Sequence, residues 1–564
     1  MNQKKHAKPF SNDLNNIEII KYLKIVLGDD VKFINLALIY GVVISIFTLS
    51  IPISMQLLIN SIAFFSLLQP IIIIGFILLA ILVFSSFLKI LQHYVIEIFQ
   101  RRLMVRLSAK IGLILLNAKY AELKKTNETE FVNRFFDIYT VQKTAVVFIN
   151  QSFLLIFQSF FGLILVTFYH PYLSLVCALI ILSVFFTWKY FYKSAARYAC
   201  LEGRARYDIG GYLEEIARSN SAFKSYKSQT YAKSKIDNLA KNYIEYRKKH
   251  FRISLTQIIL LLLIYTIFSS VLLTVGGVLV VKGSLTLGQL VAAELILFAI
   301  LKGIASFGKD FTNIYDLIAA CEKLSQFFNI DQQDDKKSKI GLDKFDIKLD
   351  NVEIIFRNNN YHFNYLFEKN KNYLINCQDS SSRMLIVHLI MNYKKPDVGS
   401  IELDSINIAD VNYNSLCSNI SVLDNTHFVE GTLIEYLTLN NQDYDISTIN
   451  KICSDIGLKK LINHNIYSLE TRIVPSGSPF LEEEKILFRL VRIILMKPKI
   501  IILTEFFDII NDESKRKVIN YLLTQTDINV ISLANSLDNY LKKGDKKFDK
   551  FLSLDSKGFK ELQN

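Results

Sequence analysis

The sequence predicts a polytopic α-helical membrane domain of six transmembrane helices, followed by a cytoplasmic α/β domain. Three observations predict it. Long apolar runs crowd the first 330 or so positions of a chain that is 51% hydrophobic with mean hydropathy +0.27. The connections between those runs alternate between short, nearly uncharged turns and long basic stretches. The remainder carries short β-type runs interleaved with helical ones, the pattern of a sheet covered by helices.

A bilayer-crossing helix takes about 20 predominantly apolar residues. Six segments satisfy that: Phe33–Ile59, Pro70–Leu91, Val146–Phe168, Leu173–Phe191, Ser254–Val281 and Thr286–Phe307. The connections Ser61–Gln69, Tyr169–Tyr172 and Lys282–Leu285 are short and hold a single cation, Lys282. The two long connections are strongly basic; the first carries Arg101, Arg102, Arg106 and Lys110, the second Arg197, Arg204, Arg206 and Lys248 among others. Basic loops stay on the cytoplasmic side, so the N-terminus, both long loops and the C-terminal domain are expected in the cytoplasm. The net charge of +13 is accounted for by this loop bias, and no nucleic-acid partner is expected. The lipid bilayer is the first partner. The six cysteines include no Cys-x-x-Cys pair, which predicts neither a disulfide framework nor a zinc site. The polar, Lys-bearing start does not read as a cleavable signal peptide.

Both basic connections read as helical, with apolar residues at helical spacing between the charges of Phe99–Leu116. Glu294 lies about two turns into the sixth segment, where an ionisable group is costly. It is a candidate for a substrate path. The plainer and favoured reading is that it pairs with a neighbouring polar group or lies near the outer interface. The expected domain division is 1–32, an N-terminal cytoplasmic segment; 33–328, the membrane domain; 329–346, a polar linker; and 347–564, the α/β domain. Expected strands are Ile347–Phe356, Tyr373–Cys377, Gly399–Leu403, Ile420–Leu423, Ile500–Leu503, Val530–Leu533 and Phe551–Leu554, with a helix over Met384–Met391.

Local strings resemble the ABC transporter superfamily, in particular half-transporters of the type I exporter kind. In the membrane half these are Pro52–Asn60, Asn127–Phe135, Leu213–Ile216, Leu285–Glu294 and Tyr315–Ala320, the last two similar to exporters of type I secretion systems. In the second half, Gly399–Asp404, Gly431–Tyr436, Pro498–Leu503 and Ile531–Ala534 follow the order of landmarks of an ABC nucleotide-binding domain. The resemblance covers nearly the whole chain and implies an ABC type-1 membrane domain with a P-loop NTPase-type domain behind it. A different α/β domain stays open.

The resemblance also marks where ATP chemistry ought to be. A P-loop cradles phosphates with glycine-rich backbone, a Lys and a Mg²⁺-binding hydroxyl. The matching stretch, from Cys377 through Asp379, Ser380 and Ser382 to Arg383 and Met384, has no glycine. Asp379 puts negative charge where phosphate belongs, Arg383 replaces the Lys with a longer planar cation, and Met384 cannot hold Mg²⁺. By the same alignment Thr504 stands for the Walker B Asp and Glu505 for the general base that follows it, a relic catalytic candidate. Phe480, Leu481, Glu482, Glu483 and Glu484 replace the signature motif, Asp424 the Q-loop Gln and Asn535 the switch His. No cofactor is expected, with ATP and Mg²⁺ only if the divergent loop still binds. In the family two such domains pair head to tail, each ATP held between one P-loop and the opposite signature. Both faces are altered here, so a homodimer would have no complete site and a heterodimer with an intact partner would have two incomplete ones.

The expectation is an exporter subunit of the bacterial inner membrane that supplies a transmembrane path. It works as a homodimer or heterodimer with another ABC half-transporter and with a periplasmic adaptor, on a peptide or protein cargo. A non-transporting scaffold or regulator is the alternative from another class. Retained ATP binding through Arg383 is the third.

Overall fold

The computed structural model describes residues 16–64, 68–123, 132–333, 345–377, 379–425, 428–439, 444–458, 468–535 and 548–562. The chain forms two compact units, one of residues 1–118 and 122–331, the other of 119–121 and 332–564.

The first unit is helical throughout. A short helix, α1 (Asn16–Leu27), precedes α2 (Val31–Thr48) and α3 (Ser50–Phe64). Four very long helices follow in part: α4 (Leu68–Leu116), then, beyond α5 (Tyr120–Leu123), α6 (Asp137–Val147), a π-helical turn at Phe148–Ser152 and α7 (Phe153–Tyr169), α8 (Pro171–Arg218), α9 (Tyr226–Val281) and α10 (Leu287–Ser325). At 49, 48 and 56 residues, α4, α8 and α9 run far beyond the roughly 30 Å hydrocarbon layer. The expectation that the basic connections are helical extensions of the spans therefore holds. His170 caps α8 through the Tyr172 N–H, with Pro171 in the first turn, where a missing N–H costs nothing. Gly283, at φ +71°, makes the turn between α9 and α10.

Among the described residues five helices are long and apolar enough to span a bilayer, not six. The sixth expected span is α10, whose described apolar part, Leu287–Ala299, is shorter than a crossing although the helix itself has 39 residues. Of the family-like string Asn127–Phe135, residues 127–131 lie outside the described set. Some basic residues have structural work as well as topological charge: Arg102 and Arg106 reach the fully buried Asp30 at 3.1 and 2.7 Å.

In the second unit a four-stranded antiparallel sheet contains β1 (Ile347–Phe356), β2 (Asn359–Phe367), β4 (Val398–Leu403) and β5 (Ile406–Asn407). A six-stranded sheet has the order β12–β11–β3–β10–β9–β6, namely Gly558–Glu561, Lys550–Asp555, Tyr373–Cys377, Asn529–Ala534, Ile500–Leu503 and Ile420–Leu423. Its five strands from β11 to β6 are parallel. Burial on both faces explains the uninterrupted apolar run of β9 and the largely apolar, fully buried β10. Helix α11 (Ser380–Ile390) packs on this sheet through Leu385, Ile386, Leu389 and Ile390. Helix α15 (Glu482–Leu495), beyond the small elements α12–α14, β7 and β8 (Tyr413–Asn419, Leu433–Thr438, Ile446–Asp455, Gly431–Thr432 and Arg472–Ile473), packs through Leu487, Phe488, Leu490 and Val491. Helix α16 (Asp512–Thr524) closes the same core with Val518 and Leu522.

Candidate functional site

In a parallel sheet with helices on its faces, ligands bind off the carboxyl ends of the strands. Five family-like residues lie at that edge, at four strand ends. Cys377 ends β3, Thr504 and Glu505 follow β9, Asn535 follows β10 and Asp424 follows β6. Parallel registers pairing Ser532 with Leu503 and Leu423 with Leu503 bring three of those ends side by side.

The β3–α11 loop is closed by its own side chain. The Asp379 carboxylate accepts from the Ser381 N–H at 3.1 Å and the Ser382 N–H at 3.0 Å, and from the Ser382 hydroxyl at 2.8 Å. It is the N-cap of α11, and it takes the backbone donors that a phosphate at this helix start would need. Partial burial pushes the Asp379 pKa up, but the hydrogen bonds from Ser381, Ser382 and Tyr361 outweigh it and hold the carboxyl below its usual range. Ser380 is exposed, Ser382 fully buried and Met384 half-buried. The Cys377 thiol is buried and pushed up to about 12 by that burial, so it is no nucleophile.

Arg383 is only 6% exposed and joins three strand ends. Its Nη1 donates to Asn535 Oδ1 at 2.7 Å, and its Nε lies 3.6 Å from Glu505 Oε2. Asn535 in turn donates its backbone N–H to Asp508 at 3.0 Å. The Thr504 hydroxyl donates to the Leu423 carbonyl, tying β9 to β6. Beside it the Asp424 carbonyl accepts from Arg489, which also donates to Asn425 at 3.2 Å and lies over the Phe428 ring. Sequence reasoning identified Arg383, Glu505 and Asn535 separately; that Arg383 joins the other two, that Asp508 supports Asn535 and that Tyr361 supports Asp379, it missed.

The signature-like stretch is elsewhere in the unit. Phe480 packs in the core against Phe488, and Leu481 is exposed. Glu482, Glu483 and Glu484 form the first turn of α15, where the helix dipole favours anions. Glu484 accepts the Leu481 N–H at 2.8 Å, Glu483 accepts from Asn511, and Glu482 pairs with Lys485 at 2.8 Å. None of these bonds joins the Arg383 group. Glu294 is exposed on α10 between the buried Ala293 and Ile296, and it pairs with no described residue.

Comparison with known proteins agrees with this architecture. Residues 34–312 match the family described as ABC transporter transmembrane region. The chain is 21% identical over 346 residues to the lactococcin-G-processing and transport ATP-binding protein of Lactococcus lactis, covering 58% of this chain and 48% of that one. It is 22% identical over 304 residues to the lactococcin-A transport/processing ATP-binding protein of the same species, covering 52% and 42%. The chain thus spans about half or less of the length of these relatives. The solved structure of a bacterial Atm1-family ABC exporter with ATP bound superposes with TM-score 0.80 at 14% identity, over 95% of this chain and 96% of that one. The chain belongs to the ABC transporter superfamily through its transmembrane region, and its fold is that of an ABC exporter half-transporter.

Proposed function

We propose that this chain is a subunit of an ABC exporter that contributes a transmembrane path while its own nucleotide-binding fold works without nucleotide. The observation that carries the reading is the Arg383–Glu505–Asn535 group under an α11 start already capped by Asp379. A Mg-nucleotide fits these residues poorly. The N–H donors are taken by a carboxylate, the cation by a glutamate and an asparagine, and Met384 stands where a Mg²⁺-binding hydroxyl belongs and Thr504 where the Walker B Asp belongs. At α15 three more carboxylates occupy the helix start that in the family faces the opposite subunit's γ-phosphate.

ATP chemistry for transport then comes from an active ABC partner in the same bilayer. Two relatives are transport or processing proteins named for lactococcins, which supports a peptide cargo for this chain too. The basic loops support a bacterial inner-membrane orientation with the N-terminus and second unit cytoplasmic, and with an adaptor on the periplasmic side. Glu294, exposed on α10, is kept as a substrate-path residue. The second reading, a non-transporting scaffold, draws on the same alteration of both faces, since even an intact partner would not complete a site. The test is ATP-analogue binding and ATPase activity of the full chain in lipid nanodiscs, alone and with an intact ABC half-transporter from the same organism. The isolated chain should show neither. Micromolar Mg-ATP binding that disappears in Arg383→Ala would overturn the reading in favour of a divergent but working loop.

A further inference from the structure

The membrane unit contains a buried charge group that no step of nucleotide chemistry uses. Lys323 of α10 and Asp137 of α6 are 3% and 2% exposed, with Nζ 3.8 Å from Oδ2. The ammonium lies 4.3 Å over the ring of Tyr207 of α8, whose hydroxyl hydrogen-bonds Asp137. It lies in the slot left where position 203 of α8 has no side chain: a Cβ on Gly203 would stand 2.5 Å from Lys323 Nζ, so a side chain there would push the ammonium aside. One cation thus ties three helices.

The tie is loose for a buried one. A structural ion pair in low dielectric repays its desolvation only with close geometry and satisfied lone pairs. Here Asp137 Oδ2 accepts no hydrogen bond, and neither does Oε2 of the adjacent buried Glu322. Buried groups left short of partners in a native structure mark strain or a second arrangement.

An independent feature lies at the other end of α6. Phe148–Ser152, which joins α6 to the membrane helix α7, is wound as a π turn. Such a turn takes in one residue more than an α turn, a phase of about 100° at 3.6 residues per turn. Asn150 Oδ1 and Ser152 Oγ are buried there without partners. Rewinding this turn as α-helix would rotate α6 about its axis relative to α7 and would carry Asp137 off Lys323.

We propose that α6 is a hinged arm of the transporter: Lys323 latches it to α10 through Asp137 in the slot left by Gly203, and the π turn is its joint. The device is independent of whether the second unit binds nucleotide. The apolar face of α6, with Ile138, Val141 and Ala145 against Leu317, Cys321 and Leu324, re-docks the arm when the latch closes.

Hydrogen–deuterium exchange of the full chain in nanodiscs tests it. Lys323→Met should make the amides of residues 137–152 exchange about tenfold faster and leave 153–169 protected, since only the arm opens. Gly203→Ala should do the same while keeping every charge, which covers the case in which Lys323→Met fails to fold. The exchanged pair D137K/K323D should return protection toward that of the unaltered chain. Unchanged exchange in both single variants, or faster exchange that runs through residue 152 into α7, would overturn the proposal.

Discussion

At the scale of single residues, the second unit is governed by where anions and cations find partners. Asp379 stabilises the folded state because its carboxylate caps α11, and its folded pKa is depressed. A depressed carboxyl contributes stability that is present above the unfolded pKa, about 3.9 for Asp, and is lost as pH falls through the folded value. Asp379→Ala should therefore cost about 1 kcal/mol of the second unit's stability at pH 7. In thermal melts of the full chain the difference from the unaltered protein should shrink below about pH 4. Asp379→Asn should retain most of the cap and lose that pH dependence. The identity of Asp379 and its conflict with phosphate were legible in the sequence. Arg383 was legible only as a substitution. Its partner Asn535 is 152 residues away, and nothing in local pattern says that a guanidinium turns toward a strand end rather than toward solvent.

At the scale of elements, the long helices and most strands follow from apolar pattern, and the departures have local causes. Helix α11 begins at Ser380, four residues before the expected Met384, because the Asp379 cap satisfies N–H groups that the apolar period alone does not register. Strand β2 (Asn359–Phe367) went unpredicted, since its asparagines mask an alternation in which Tyr361, Phe363 and Phe367 are buried. The π turn at Phe148–Ser152 leaves no mark in hydropathy at all. Two strings that resembled the family separately, Pro52–Asn60 and Leu285–Glu294, meet in space. A Cβ at Gly288 of α10 would stand 2.7 Å from the Gln56 carbonyl and 2.4 Å from Asn60 Oδ1 of α3. The backbone of α3 cannot yield as a side-chain tip can. Gly288→Ala should destabilise the α3–α10 packing by about 1–3 kcal/mol, as overpacking does. Scanning fluorimetry in detergent should show a lowered melting temperature, and Gly277→Ala, which meets nothing within 4 Å, should not.

At the scale of the whole molecule, the alternation of short neutral and long basic connections carries the expected topology. Single cysteines at Ser284 and at Tyr172 should react with an impermeant maleimide from outside intact cells. One at Tyr226, 85% exposed at the start of α9, should react only after the membrane is opened. The reverse pattern would invert the orientation. The second unit was legible as an α/β sheet in order of landmarks, because parallel strands buried on both faces read as plain apolar runs. What it does with its strand ends was not, because the pairing of Arg383 with Glu505 and Asn535 exists only once the sheet is assembled. That pairing has an evolutionary consequence. Arg383→Lys alone would set an ammonium against Glu505 while Asp379 still held the α11 start, so no single reversion regains a phosphate cradle. Each intermediate step back would loosen the fold before it gained a ligand. On the proposed reading, selection can refine the membrane path and the partners of such a chain, but no single substitution would return it to nucleotide chemistry.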